Sequence, residues 1–170
     1  MALCLRRTRI PIYLHDSKLM NRLCRHVPTN QLNSMAVREC VQRMRTVLRR
    51  HPDRPVGISA PQVGFSLRIM AFRDHSASGR IMIVANPEIN PVGDKTCWRQ
   101  EGCLSYPNLF VQTRRWSRIR LAGYNYHSNE IICKDYTNLR AAIIQHELDH
   151  LNAQPWPPKG STRIAFFRKE

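Results

Sequence analysis

The sequence predicts an α+β domain. Small, mostly antiparallel β-sheets should pack around a C-terminal helix bearing H-E-x-x-H, with another helix nearer the N-terminus. Three observations predict it: a helical apolar period at 32–50, strand-like runs through the middle of the chain, and a helical pattern from 138 that carries both histidines. At 170 residues the chain is long enough for one domain with a real core and short for two.

In "LNSMAVRECVQRMRTVLRR", Val37, Cys40, Val41, Met44, Val47 and Leu48 recur at three- and four-residue spacings, with arginines on the opposite side. "HPDRP" should stop this helix. "PVGISAPQVG" mixes Gly57, Pro61 and Gly64 with small residues, the pattern of a loop whose backbone comes close to something. Strand-like runs follow at 67–72, 81–87, 118–126 and 130–136, the last two forming a hairpin. The final helix should start at Asn138 as N-cap and carry the apolar row Leu139, Ala142, Ile143, Ile144 and Leu148.

The net charge of +15 comes from 27 Lys+Arg against 12 Asp+Glu, and only five of the 27 are lysines. Such a balance favours RNA, a ribosome-like surface or an anionic membrane as neighbour, while saying nothing about fold. Residues 1–55 hold twelve of the basic residues against three acidic ones, and "MALCLRRTRI" has arginines without acids, an organellar flavour. No stretch is long and apolar enough for a membrane span. The six cysteines form no C-x-x-C pair and read as thiols.

On a helix, His146 and His150 lie one above the other and can share one metal ion. Glu147 then sits beside the ion, where a general base acting on metal-activated water is needed. Asp149 projects off another face, outside the metal's ligands, and is expected to be a surface charge or a partner for a nearby arginine. A third ligand is required, and spacing leaves His127, Cys133 and Cys103 open, with "QEGCLSYP" around Cys103 the most suggestive segment.

"PVGISAPQVG", "EGCLSYP" and "QHELDHLN", in this order, resemble the three signature motifs of the peptide deformylase family, over about Tyr13 to Leu151. The resemblance implies that Cys103, His146 and His150 bind Fe²⁺, replaceable by Zn²⁺, Ni²⁺ or Co²⁺. It implies Glu147 as general acid/base, and the Gln62 side chain with the Leu104 N–H as oxyanion hole. Val56, Gly57 and Ser59 would pair with an N-formylmethionyl nascent peptide, and Tyr106 and Ile143 would line its methionine pocket. Ribosome association through the basic surface and a mitochondrial matrix location are the accompanying expectations. The domain would run over 13–154, after a short presequence remnant at 1–12.

The chain departs from the family pattern after the second histidine, where Ala153 stands for glycine and Pro155, Pro157 and Pro158 follow. These features predict a helix ending by about Gln154 and an irregular, partly exposed, basic tail over 155–170, with His150 loosened and metal retention weakened. Two alternatives accompany the deformylase reading: a zinc endopeptidase, and a catalytically weakened paralogue serving as a basic RNA- or ribosome-binding module.

Overall fold

Helix α1 (Met35–Arg49) starts where Ser34, in extended conformation, accepts a hydrogen bond from the N–H of Val37. Its six predicted apolar residues are its buried ones. The computed structural model describes residues 10–14, 16–50, 57–74 and 79–164; "HPDRP" and Val56 lie outside these residues.

Among the described residues, eight strands follow from residue 57 onward: β1 (Gly57–Ser59), β2 (Ile69–Asp74), β3 (Arg80–Pro91), β4 (Thr96–Cys103), β5 (Tyr106–Trp116), β6 (Arg118–Asn125), β7 (Glu130–Thr137) and, after helix α2 (Asn138–Leu151), β8 (Thr162–Arg163). They form an antiparallel five-stranded sheet in the order β1-β2-β3-β6-β7 and a three-stranded sheet β4-β5-β8. The expected β6–β7 hairpin is present.

Side-chain alternation explains why the larger sheet is covered on both faces. Ile69 and Ala71 of β2 join Ile58, Ile83 and the apolar stripe of α1 in one core, while Met70 and Phe72 join Val84, Leu121 and Ile144 of α2 in the other. A strand buried on both sides needs an unbroken apolar run, and "IMAF" supplies it.

Four expectations change. Residues 96–116, outside the expected strand runs, form the β4–β5 hairpin, and within the segment 100–107 only Leu104 and Ser105 turn. Asn138 does not cap α2: Thr137 holds that place, and Asn138 takes a left-handed φ of 55°. Leu139 is 44% exposed, whereas Ala141, Gln145, His146, Glu147 and Leu151 join the buried set, because α2 lies between the two sheets. The segment after α2 has no regular structure over 154–161 and is partly exposed, as expected, but it is anchored and not loose; residues 165–170 lie outside the described residues. The helix does end at Leu151, but Trp156 is buried between Tyr106 and His146, and Thr162–Arg163 pair with Val111 and Gln112 of β5.

Candidate metal centre and active-site cleft

Helix α2 presents His146 and His150 one turn apart, with ring centroids 4.9 Å from each other. The end of β4 brings Cys103 opposite them, its Sγ 3.2 Å from Nε2 of His150. Ligand atoms of Cys103, His146 and His150 all lie within 4.8 Å of one another, in a buried setting. The other candidates for third ligand fall away: His127 accepts from Arg45 at 3.0 Å, and Cys133 is exposed on β7.

The donor set fits a divalent transition metal. Nδ1 of His146 donates to Oε2 of Glu101 at 2.9 Å, which leaves Nε2 for an ion. Burial, with the charges of His146 and Arg115, pushes His150 down to about 3, so its ring is neutral, the form that ligates. Burial opposes charge on His146, but hydrogen bonds with Cys103 and Glu101 raise it to about 10; a binding cation would displace that proton.

Behind the ligands stands an ion-pair network. Arg115 grips Glu101 through Nε at 2.7 Å and Nη2 at 2.9 Å, and reaches Asp149 through Nη1 at 2.6 Å, so of the two roles open to Asp149 it takes that of an arginine's partner. Burial works to raise the Glu101 carboxyl, yet Arg115 and His146 hold it at about 2. His150 is 2% exposed, and the ring of Trp156, from the proline-rich segment, meets His146 edge-on at 5.6 Å.

Glu147 is buried beside the histidines, and its Oε2 has no hydrogen-bond partner. Burial pushes its carboxyl up to about 7, against the pull of His146 and Ser59. A Cβ on Gly57 would sit 2.6 Å from Oε1 of Glu147, so the close approach expected of the "PVGISAPQVG" backbone is an approach to this carboxylate. Gln62 is oriented by Ser59, whose N–H and hydroxyl both donate to Oε1 at 2.9 Å. Nε2 is thereby turned to the centre, 3.8 Å from the sulfur of Cys103 and 3.2 Å from Oγ of Ser105.

A cavity of about 470 Å³ opens on these groups. Gly57, Gln62, Leu104, Tyr106, Ile143 and Glu147 line it. Ser59, expected against a peptide, is buried and committed to Gln62 instead; Val56 lies outside the described residues. Sequence reasoning missed Leu139, Ala142 and Phe110 as lining residues, and Glu101 and Arg115 as supports. Leu139 and Ala142 stood in the apolar row of α2, four residues before Ile143 and His146 respectively, which was the available signal.

Two soft or borderline donor types on three buried residues, with a carboxylate beside them and an open cavity, form a set that can hold one metal ion. A family model described as polypeptide deformylase matches residues 10–156, and the chain belongs to that family. Peptide deformylase of Thermotoga maritima is 37% identical over 97 residues, 57% of this chain and 57% of that protein, so the chain matches little more than half the length of such curated relatives. The class I type b peptide deformylase from Acinetobacter baumannii superposes with a TM-score of 0.74 at 30% identity, over 85% of this chain and 94% of that one. The same enzyme with Met-Ala-Ser bound gives 0.73 at 28%, over 85% and 93%.

Proposed function

We propose that this protein hydrolyses the N-formyl group from the initiator methionine of newly synthesised peptides. The observation that carries the reading is the convergence of Cys103, His146 and His150 with Glu147 and the fixed amide of Gln62 on one cavity. A divalent ion on these ligands supplies Lewis-acid activation of water.

The chain's own residues do the remaining work. Glu147, with a carboxyl raised to about 7, takes the proton of the attacking water and returns it to the leaving amine. Gln62 Nε2 donates to the formyl oxygen as charge builds there, with the Leu104 N–H as the second donor. Both Gly57 on β1 and Gly102 on β4 line the cavity, and each strand is the end strand of its sheet, so an extended peptide fits between them by strand addition. Tyr106, Ile143, Leu139 and Ala142 supply apolar walls for a methionine side chain. The relative solved with Met-Ala-Ser bound is consistent with such an occupant.

The mixed thiolate and imidazole donor set suits Fe²⁺, with Zn²⁺, Ni²⁺ or Co²⁺ as substitutes. A mitochondrial matrix location, suggested by the acid-free, arginine-bearing start, and ribosome contact through the arginine-rich surface belong to the same proposal. Among the described residues no helix is long and apolar enough to cross a membrane. The binding-module alternative rested on the altered 153–158 segment and on the basic charge; the first support falls away, since Trp156 packs against His146, and the charge alone does not favour it over the enzyme.

The test is release of formate from formyl-Met-Ala-Ser by metal-replete protein prepared without oxygen, with acetyl-Met-Ala-Ser alongside. Formate without comparable acetate is expected; equal cleavage of both, or of neither, overturns the reading.

A further inference from the structure

The cavity follows β4 backwards from Leu104 through Cys103, Gly102 and Glu101 to Gln100. Beyond it, the same strand carries Trp98, 54% exposed. Strand alternation and the β4–β5 register put Gly102 opposite Phe110, Gln100 opposite Gln112, Trp98 opposite Arg114 and Thr96 opposite Trp116. Phe110 is 40% and Trp116 37% exposed, and Gln100, Gln112 and Arg114 are exposed with them. The opposite face of the hairpin holds Glu101, Val111, Thr113 and Arg115, turned inward. The outward face is therefore a strip of aromatic rings, amides and one guanidinium that begins in the cavity and runs past it.

Two details tie the strip to an occupant of the cavity. Gly102 has no side chain, and a Cβ there would stand 2.7 Å from Cε1 of Phe110, so this ring reaches across β4 towards the cleft. β4 is also the terminal strand of its sheet, so its free edge can take an added strand. A strand added there with its N-terminus at Cys103 runs antiparallel to β4. Its side chains alternate between the helix α2 side and the aromatic strip.

We infer that the downstream part of the substrate peptide continues along the free edge of β4 and packs a bulky apolar side chain beside Trp98. This rests on the deformylase reading of the cavity. At ~3.4 Å per residue, the five-residue step from Cys103 to Trp98 is about 17 Å, which places the contact at about the sixth substrate residue, on the strip side when the first side chain is on the α2 side. The chain thus favours formylated peptides with an aromatic or large aliphatic residue there. Aromatic rings and arginine also suit single-stranded nucleic acid, but continuity with the cavity favours the peptide.

The experiment compares formyl-Met-Ala-Ser-Ala-Ala-Phe-Ala with its Gly-for-Phe counterpart on metal-replete protein, reading kcat/KM for formate release and binding by tryptophan fluorescence. The Phe peptide should be favoured about 2- to 5-fold in kcat/KM, the range of one cross-strand aromatic pair, and should perturb the fluorescence more strongly. The ratio should fall to about one in Trp98→Ala and recover in Trp98→Phe; being taken within each variant, it is independent of the folded fraction. A ratio of one in the unsubstituted protein by both readouts, or one unaltered by Trp98→Ala, overturns the inference. So does a fluorescence response to an oligouridylate with none to either peptide. Discrimination by fluorescence without formate release sustains the strip and overturns the deformylase reading alone.

Discussion

Oε2 of Glu101 lies 2.9 Å from Nδ1 of His146, so a residue two positions before the cysteine ligand orients the ring of the first histidine ligand. Arg115 fixes that carboxylate with two hydrogen bonds of its own. Partners of this kind typically control ~10–100-fold in metal affinity. Glu101→Gln should therefore release metal to a competing chelator about that much more readily, with the fold retained. Unchanged retention would show that the ring is held by packing against Trp156 alone.

The same carboxylate makes stability depend on pH. Arg115 and His146 hold Glu101 at about 2 in the folded chain despite its burial. The unfolded value is ~4.3, so the ionised group stabilises the fold fully above that value, and the contribution is lost as pH falls from about 4.3 towards 2. Denaturant titrations of metal-free protein across this window should show a larger loss for the unsubstituted chain than for Glu101→Gln. Parallel losses would remove Glu101 from acid unfolding.

How much of this was legible in the sequence depended on which side of each element met water. The buried stripe of α1 and the two histidines on α2 could be read because apolar or ligating residues recur at helical spacing. The β4–β5 hairpin could not, because its pattern is inverted. Glu101, Thr113 and Arg115 point inward, where they find partners, while Trp98, Phe110 and Trp116 point outward. Hydrophobic alternation assigns such a strand to the wrong face, or to none. Prolines around Trp156 likewise signalled a broken backbone but not where the indole would go.

Ala153 adopts a left-handed φ of 53°, at the position where the resemblance expects glycine. This conformation costs a residue with a Cβ ~1–2 kcal/mol, partly offset because glycine gains more freedom on unfolding. Ala153→Gly should raise stability by up to about 1 kcal/mol in denaturant titration, with metal content unaltered, since His150 is already buried. A loss of stability would mean that the Ala153 methyl makes a compensating contact.

Gly57 is constrained by space instead. Its missing Cβ is the room taken by Glu147, and Gly57→Ala would drive Cβ to within 2.6 Å of Oε1. Displacing a general base by about 1 Å can cost ~10²-fold in rate. Gly57→Ala should lose activity by that order in kcat while keeping the metal, and a normal kcat would show that Glu147 moves without consequence.

Gln62→Leu removes the amide that faces the centre and strands the Ser59 N–H and hydroxyl, both of which donate to it. Turnover should fall ~10²–10³-fold for the lost donor, and stability by about 1–3 kcal/mol for the buried groups left unpaired. An unchanged rate in folded protein would take Gln62 out of the mechanism.

The central claim is that Glu147 moves the proton and does not hold the metal. Its Oε2 is buried without a partner, and the three ligand atoms converge without it. The decisive measurement is metal content and formate release in Glu147→Gln, purified beside the unsubstituted protein without oxygen. We predict one metal per chain in both proteins and no measurable turnover in the variant; an emptied site, or formate release at an undiminished rate, would contradict the account.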